Sequence, residues 1–318
     1  MKYRYLGNSN LKVSAVGLGT WAYGNDTFGE VDDQQSIKAI RKAVKSGISL
    51  IDTAPAYGDG HAEEVVGRAI EGIRDQVVIA TKCGVHRDGS KYVKDLSPER
   101  IRKEIEGSLR RLNIEQIDLY QIHWPDPNTP LEKTVKELLK LKKEGKFKYL
   151  GVCNFGVGLM DQISEMTDII SLQPHYSLLK RDIEGAALPY LIENNLGALS
   201  YGTLGGGILS GKYKERPQFD DDKENRAGFY PFFKEENWPQ TQSLIGLLKE
   251  IAEEHNQTPA QVAINWAINR PGISTALVGA KNEKQARENA AAADFELSEA
   301  EMLALTEESD KVIKNLKV

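Results

Sequence analysis

Six side chains able to ionise, hydrogen-bond or stack stand where short apolar runs of the chain end: Asp52, Lys82, His123, Asn154, Gln173 and Tyr201. One polar residue in such a place is ordinary loop chemistry; six in succession can converge on a single site. Tyr57 joins them from Ile51-Asp52-Thr53-Ala54-Pro55-Ala56-Tyr57-Gly58, where a tight loop can fold it back over the end of its run. A free phenol titrates near pH ~10 and is a poor proton donor at neutral pH. A neighbouring ammonium favours the phenolate, so Lys82 is expected to lower the Tyr57 pKa, with Asp52 keeping that ammonium charged and in place. His123 could donate a hydrogen bond to a carbonyl oxygen at the same point. Together these residues would make a general acid aimed at a carbonyl oxygen on its way to an alkoxide. The alternative reading is a structural Asp–Lys pair beneath a packed tyrosine.

These residues meet only if the runs that carry them are neighbouring strands. Eight runs rich in Val, Ile and Leu read as strands: Ala15–Gly19, Ile48–Asp52, Val77–Thr81, Ile117–Ile122, Tyr149–Cys153, Ile169–Leu172, Ala198–Tyr201 and Thr275–Val278. Helical periodicity separates them, as in Asp32–Ser46 with Ile37, Ile40, Ala43 and Val44 on one face, and in Glu63–Glu71, Pro98–Leu112 and Leu131–Glu144. Ser97-Pro98 is a helix start, an N-cap serine followed by proline at the first helical position. Such alternation means βαβ units. Eight units predict a (β/α)8 TIM barrel, an α/β fold, in one domain over residues 1–318. A doubly wound open sheet is the alternative.

Two regions break the rhythm. Segments flanking Gly7-Asn8-Ser9-Asn10 predict an N-terminal β-hairpin that plugs one barrel end. A long insertion separates strands 7 and 8, with the polar run Lys212–Asn225, helices near Thr241–His255 and Pro259–Asn269, and a wall-forming stretch Tyr213–Trp238. The tail Ser298–Leu316 reads as a further helix. Five lysines in Lys140–Lys148 read as complements to a helix dipole.

The 318 residues carry 41 Lys+Arg and 46 Asp+Glu, a formal net charge of −5, which argues against nucleic-acid binding. Cys83 and Cys153 form neither a disulfide scaffold nor a zinc pattern, and no metal site is expected. No apolar run has membrane-spanning length, and the N-terminus turns polar at once, unlike a signal peptide. A reduced, cytoplasmic protein without a membrane partner is expected. Nothing in the sequence points to a protein partner.

The segment Ile51–Gly58, Ala80-Thr81-Lys82 and Asp118-Leu119-Tyr120-Gln121-Ile122-His123-Trp124-Pro125 resemble the aldo-keto reductase family. The likeness runs from Leu11–Trp21 to Val278-Gly279-Ala280-Lys281, Gln285 and Asn289. It implies a (β/α)8 barrel and NAD(P)H-dependent reduction of an aldehyde or ketone. Tyr57 would be the proton donor, Lys82 and Asp52 its pKa-lowering partners, and His123 the residue that orients the carbonyl. By the same resemblance, Asn154 and Gln173 would bind the carboxamide and Tyr201 would stack on the nicotinamide. Two amides can fix which ring face is presented, as a stereospecific transfer requires.

Gly17-Leu18-Gly19-Thr20-Trp21-Ala22 matches the dinucleotide pattern in letters only, for Tyr23-Gly24-Asn25-Asp26 follows where a helix should open, with no acidic residue about 20 positions on. The resemblance instead places the cofactor across the barrel mouth, over Thr20, Trp21 and Asp52. Gly202, Leu204 and Gly206, in Gly202–Lys212, would cradle the pyrophosphate with Lys212, and Arg226 would close over it. Lys281, Gln285, Glu288 and Asn289, at the start of the helix after the last strand, would hold the adenosine end. Lys281 suggests a 2′-phosphate, so NADP(H) is expected over NAD(H), although Gly279 and Gln285 stand where NADP-preferring members carry Lys and Arg.

Cys153 replaces a usual Ser, either as a small buried side chain or in a redox role, and Ala62 replaces another. Trp21, Tyr23, Phe28 and Trp124 would form an aromatic-walled substrate pocket. His61, His86, His175 and His255 read as surface or core histidines. The rival function is a nicotinamide-binding regulatory subunit with weak or no turnover. A barrel lyase or hydrolase would need paired carboxylates or metal ligands that the pattern lacks.

Overall fold

Runs of β-branched and leucine side chains too short for helices become strands that are covered on both faces. The computed structural model describes residues 1–25, 27–89, 91–219 and 226–317. Within them β3 (Val16–Gly19), β4 (Leu50–Asp52), β5 (Val78–Cys83), β8 (Ile117–Ile122), β9 (Phe147–Cys153), β10 (Ser171–Gln173), β11 (Gly197–Ser200) and β12 (Ile273–Gly279) close into a parallel barrel in that order. The expected (β/α)8 barrel is therefore present, and the open sheet is excluded by the pairing of β12 with β3. Two hairpins among the described residues lie outside the barrel. One joins β1 (Tyr3–Tyr5) to β2 (Lys12–Ser14), as expected. The other joins β6 (Val85–Asp88) to β7 (Lys91–Lys94), just past β5, and was not foreseen.

The alternation of strand side chains sets the site. Leu50, Ala80 and Leu119 fall in one apolar cluster with Leu6, Leu11 and Val13 of the first hairpin, which thus plugs the barrel. Two residues further along the same strands come Asp52, Lys82 and Gln121, all buried. A period of two keeps them on the same inner face as the apolar plug. Ile51, Ile79 and Tyr120 point the other way, into the larger cluster under the helices.

The helices follow the expected limits closely. Asp32 caps Asp33–Lys45, and Ser97 caps Pro98–Leu112 by accepting the Arg100 N–H. The buried face of the first is Ser36, Ala39, Ile40 and Ala43, turned slightly from the expected one, and Ile37 and Val44 line its edge. The tail helix, Glu299–Asn315, starts on a capping box of Ser298 and Glu301. The run of lysines is only partly a helix-end feature. Its helix stops at Lys143, and Lys146 and Lys148 lie beyond it, paired with Glu106 and Asp118 at 3.0 and 2.7 Å. Gly17 and Gly19 lie on or inside β3, and the next α-helix opens only at Asp33, so the glycine pattern is not a dinucleotide turn.

Behind β5, the carboxylate of Glu104 accepts the Gly84 N–H at 2.6 Å, with Arg100 3.0 Å away. Burial pushes this carboxyl from 4.5 up to about 7, against the pull of the Gly84 N–H and Arg100. The folded protein therefore holds this proton more tightly than the unfolded chain. That stabilisation is full below pH ~4.5 and is lost as pH rises through ~7. Glu104→Gln keeps an acceptor for Gly84 and removes the titration. It is expected to flatten the decline in urea-unfolding free energy between pH ~5 and ~8 by roughly 1–3 kcal/mol. An unchanged slope in the variant would exclude Glu104 as its source.

Candidate active site

At the carboxyl end of β5, Lys82 is fully buried, out of reach of bulk solvent. Its Nζ donates to Asp52 Oδ2 at 2.6 Å, to the Thr53 carbonyl at 2.9 Å and to Tyr57 Oη at 3.1 Å. An ammonium has three protons, so all are committed. Tyr57 Oη accepts from Lys82, and its own proton is free to point elsewhere. Asp52 is held in turn: Oδ1 accepts from Gln173 Nε2 at 2.8 Å and from Gln121 Nε2 at 3.2 Å. Gln121 was missed in the sequence because it lies inside β8 and not past its end.

The electrostatics correct one expectation. Burial raises the Tyr57 pKa to about 12. Lys82 pulls it down, as foreseen, but Asp52 pushes it back up, and burial prevails. Burial works against the Lys82 charge as well, yet Asp52 and Tyr57 outweigh it and the ammonium is held above its ordinary range. Burial, then Lys82, pushes His123 well below the usual imidazole range, so the ring is neutral and keeps one N–H to donate. Its centroid lies 5.9 Å from that of Tyr57, edge-on at 83°.

Tyr57 is aimed by two glycines. A Cβ on Gly58, whose φ is +61°, would stand 2.3 Å from the Gly24 carbonyl oxygen, and one on Gly24 would stand 2.6 Å from the Gly58 nitrogen and 2.7 Å from the Tyr57 carbonyl carbon. The loop after β3 and the loop bearing Tyr57 thus interlock backbone to backbone. Trp21, from the first of them, stacks on the Tyr57 ring at 5.9 Å and 20°, with Phe28 and Phe229 against its edges at 5.1 and 4.9 Å. Trp124 sits under the Lys94 ammonium. Tyr23 does not belong to this wall. It is buried, and its hydroxyl donates to the Ala280 carbonyl at 2.6 Å, tying the first loop to the end of β12.

Other expected residues surround the same mouth. Asn154 donates to the His123 carbonyl at 3.1 Å and accepts from the Tyr201 hydroxyl at 2.9 Å. Thr20 is fully buried with its hydroxyl on the Asp52 carbonyl, so its side chain faces inward. Gly202 and Leu204 lead into a 3-10 turn, Gly205–Ser210, with Gly205, Gly206 and Gly207 all at positive φ. A Cβ on Gly207 would lie 3.5 Å from Arg226 and 3.8 Å from the Lys212 ammonium, so bare backbone faces both cations. Arg226 is buried, donates to the Gly206 carbonyl at 3.0 Å and lies between the rings of Phe28 and Phe219. Lys281 donates to the Phe28 carbonyl. Burial first, then Arg226 and Lys212, lowers the Lys281 pKa to about 8. Among the described residues neither Lys212 nor Lys281 has a carboxylate partner. This concentration of positive charge beside half-buried glycine backbone fits a phosphate-bearing cofactor.

The helix after β12 runs Glu283–Ala291, so Lys281 precedes it instead of starting it, and Asn282 caps it. Gln285 braces the Lys281 N–H, and Asn289, well inside the helix, braces the Gly279 carbonyl at 3.0 Å. Glu288 lies 3.8 Å from Lys284. Residues 220–225 of the polar run Lys212–Asn225 lie outside the described residues. Cys153 and Ala62 are fully buried, and burial raises the Cys153 thiol far above its ordinary range, as suits a small packed side chain. His175, read as a surface or core histidine, lies at this mouth instead, stacked on Tyr201.

The Aldo/keto reductase family profile matches residues 15–310. The chain belongs to the aldo/keto reductase family. This aldo/keto reductase is 38% identical to Aldo-keto reductase YhdN of Bacillus subtilis, with 90% of this chain and 86% of that protein covered. It is 33% identical to the NADH-specific methylglyoxal reductase of Escherichia coli, with 96% and 98% covered. The glycerol dehydrogenase AKR11B4 of Gluconobacter oxydans superposes with a TM-score of 0.89 at 35% identity, covering 99% of this chain and 97% of that one. An aldo/keto reductase of Klebsiella pneumoniae in complex with NADP and acetate superposes with a TM-score of 0.74 at 30% identity, covering 95% and 93%. The protein is thus an oxidoreductase of the aldo/keto reductase type, and the regulatory-subunit alternative is not favoured. Among the described residues no helix is long and apolar enough to cross a membrane.

Gly24→Ala is expected to displace Tyr57 from Lys82 and to lower kcat by roughly 100-fold, since a shift near 1 Å at reacting groups costs about that much. Steady-state kinetics beside a thermal melt checks it; near-normal kcat would mean that the two loops do not aim the phenol.

Proposed function

We propose that this aldo/keto reductase reduces the carbonyl of a small aldehyde or ketone with Tyr57 as the proton donor. The observation that carries the reading is the complete commitment of the Lys82 protons, which leaves the Tyr57 proton for a ligand at the mouth. When bound, a reduced nicotinamide supplies the hydride to the carbonyl carbon. The neutral His123 ring donates to the carbonyl oxygen and orients it. Tyr57 Oη passes its proton to that oxygen as negative charge develops there, because an alkoxide is a stronger base than any phenolate. Lys82 Nζ then faces a phenolate and stabilises it through the hydrogen bond it already makes. Asp52, locked by Gln121 and Gln173, keeps Lys82 charged throughout. Trp21, packed on the Tyr57 ring and against Phe229, walls one side of the site.

The chain's own residues for the cofactor are Asn154, Gln173 and Tyr201 at the nicotinamide end, Gly202 to Gly207 with Lys212 and Arg226 at the phosphates, and Lys281, Gln285 and Asn289 at the adenosine end. Gln173 Nε2 is held by Asp52, so its carbonyl oxygen is the part left to accept from a carboxamide. We read the preference as NADP(H) over NAD(H), on the charge gathered around Lys281. The protein works as one domain over residues 1–318, in the cytoplasm, on a small carbonyl compound, without a protein partner.

Tyr57→Phe is expected to lower kcat by about 10²- to 10⁴-fold with the cofactor dissociation constant unchanged, because only the proton is lost. Near-normal turnover would remove Tyr57 from this role. Lys281→Ala is expected to raise the KM for NADPH more than that for NADH; an equal rise in both would overturn the 2′-phosphate assignment.

A further inference from the structure

His175 stands two residues beyond the end of β10, beside the end of β11, and is used by none of the steps above. Its ring lies 5.0 Å from the Tyr201 ring at 21° and 6.0 Å from Phe229 at 26°, with Tyr230 edge-on at 5.7 Å. A parallel bridge sets His175 beside Tyr201, and the Tyr176 N–H donates to the Tyr201 carbonyl. Nε2 is buried without a hydrogen-bond partner, and burial, then Lys180, pushes the ring down to about 4. The position therefore uses neither a cation nor a hydrogen bond through that nitrogen. What remains is a flat aromatic face. Gly202 leaves room for it: a Cβ there would fall 2.5 Å from Nε2.

We infer that His175 is a positioning residue, a backing plate that holds Tyr201 in plane so that its opposite face is ready for the nicotinamide ring. Tyr201 is fixed at three points: its backbone by the bridge, its hydroxyl by Asn154, and one face by His175. No other ring among the described residues stacks on it. Without the plate the ring could tilt about the hydroxyl anchor, and the nicotinamide would lose a flat partner.

The inference rests on the nicotinamide reading of Tyr201, and its test separates the two. Dissociation constants are measured by tryptophan fluorescence for the intact reduced cofactor and for the matching adenosine diphosphate ribose, which lacks the nicotinamide. His175→Leu should weaken the intact cofactor roughly three- to tenfold and leave the fragment within about twofold, and His175→Phe should restore the intact cofactor. Equal losses for both ligands, no loss for either, or failure of phenylalanine to rescue would each overturn the inference. Should the leucine variant not fold, His175→Gln takes its place under the same criteria. A wild-type protein that binds the fragment as tightly as the intact cofactor would instead refute the nicotinamide reading itself.

Discussion

An ammonium sealed inside a barrel must find three acceptors or lose its charge, and Lys82 finds them in Asp52, the Thr53 carbonyl and Tyr57. The rest of the mouth follows from that requirement. Asp52 must be buried to reach the ammonium, and a buried carboxylate needs further donors, which Gln121 and Gln173 provide from two other strands. Tyr57 must present its oxygen as an acceptor, which turns its proton away from Lys82. Burial holds that proton on the phenol up to about pH 12, while Lys82 stands ready for the charge the phenol acquires when the proton leaves. The tyrosine is thus not made acidic at rest. It is placed where losing a proton is compensated at once.

Charge is distributed unevenly around the mouth. Beside Tyr57 the single cation is matched by Asp52. Beside the glycine turn, burial lowers the pKa values of Lys212, Arg226 and Lys281; Arg226 adds to the effect on Lys212, and Arg226 and Lys212 add to that on Lys281. A ligand with a neutral head and anionic phosphates would lie naturally along this gradient. Aromatic rings span the same distance. Tyr201, His175, Phe229, Trp21 and Tyr57 form a chain of ring contacts from one edge of the mouth to the other.

Much of this was legible in the order of residues. The apolar runs, the helix caps at Asp32, Ser97 and Ser298, and the turn at Gly7 to Asn10 are local signals, and each element formed within a few residues of its expected limits. Asp52, Lys82 and His123 could be found because parallel barrel strands deliver their last residues to one face. Gln121 could not be found that way, because a glutamine inside an apolar strand signals nothing until its neighbours across the barrel are known. The β6–β7 hairpin was hidden by its short, charged strands, and Tyr23 looked like a pocket wall until its hydroxyl was seen to bind the Ala280 carbonyl.

The sequence by itself determined the fold class, the family and the grouping of Asp52, Lys82 and His123 with the Tyr57 phenol, because spacing along strands and family motifs are properties of the chain. Only the tertiary structure decided the sign of the Tyr57 pKa shift, since burial is a sum over residues brought from every part of the chain. It alone decided which atom the Tyr57 proton can serve, because that depends on where two other acceptors stand around the Lys82 nitrogen. It also turned His175 from a bystander into the support of Tyr201, for two rings stack only when β10 and β11 lie side by side.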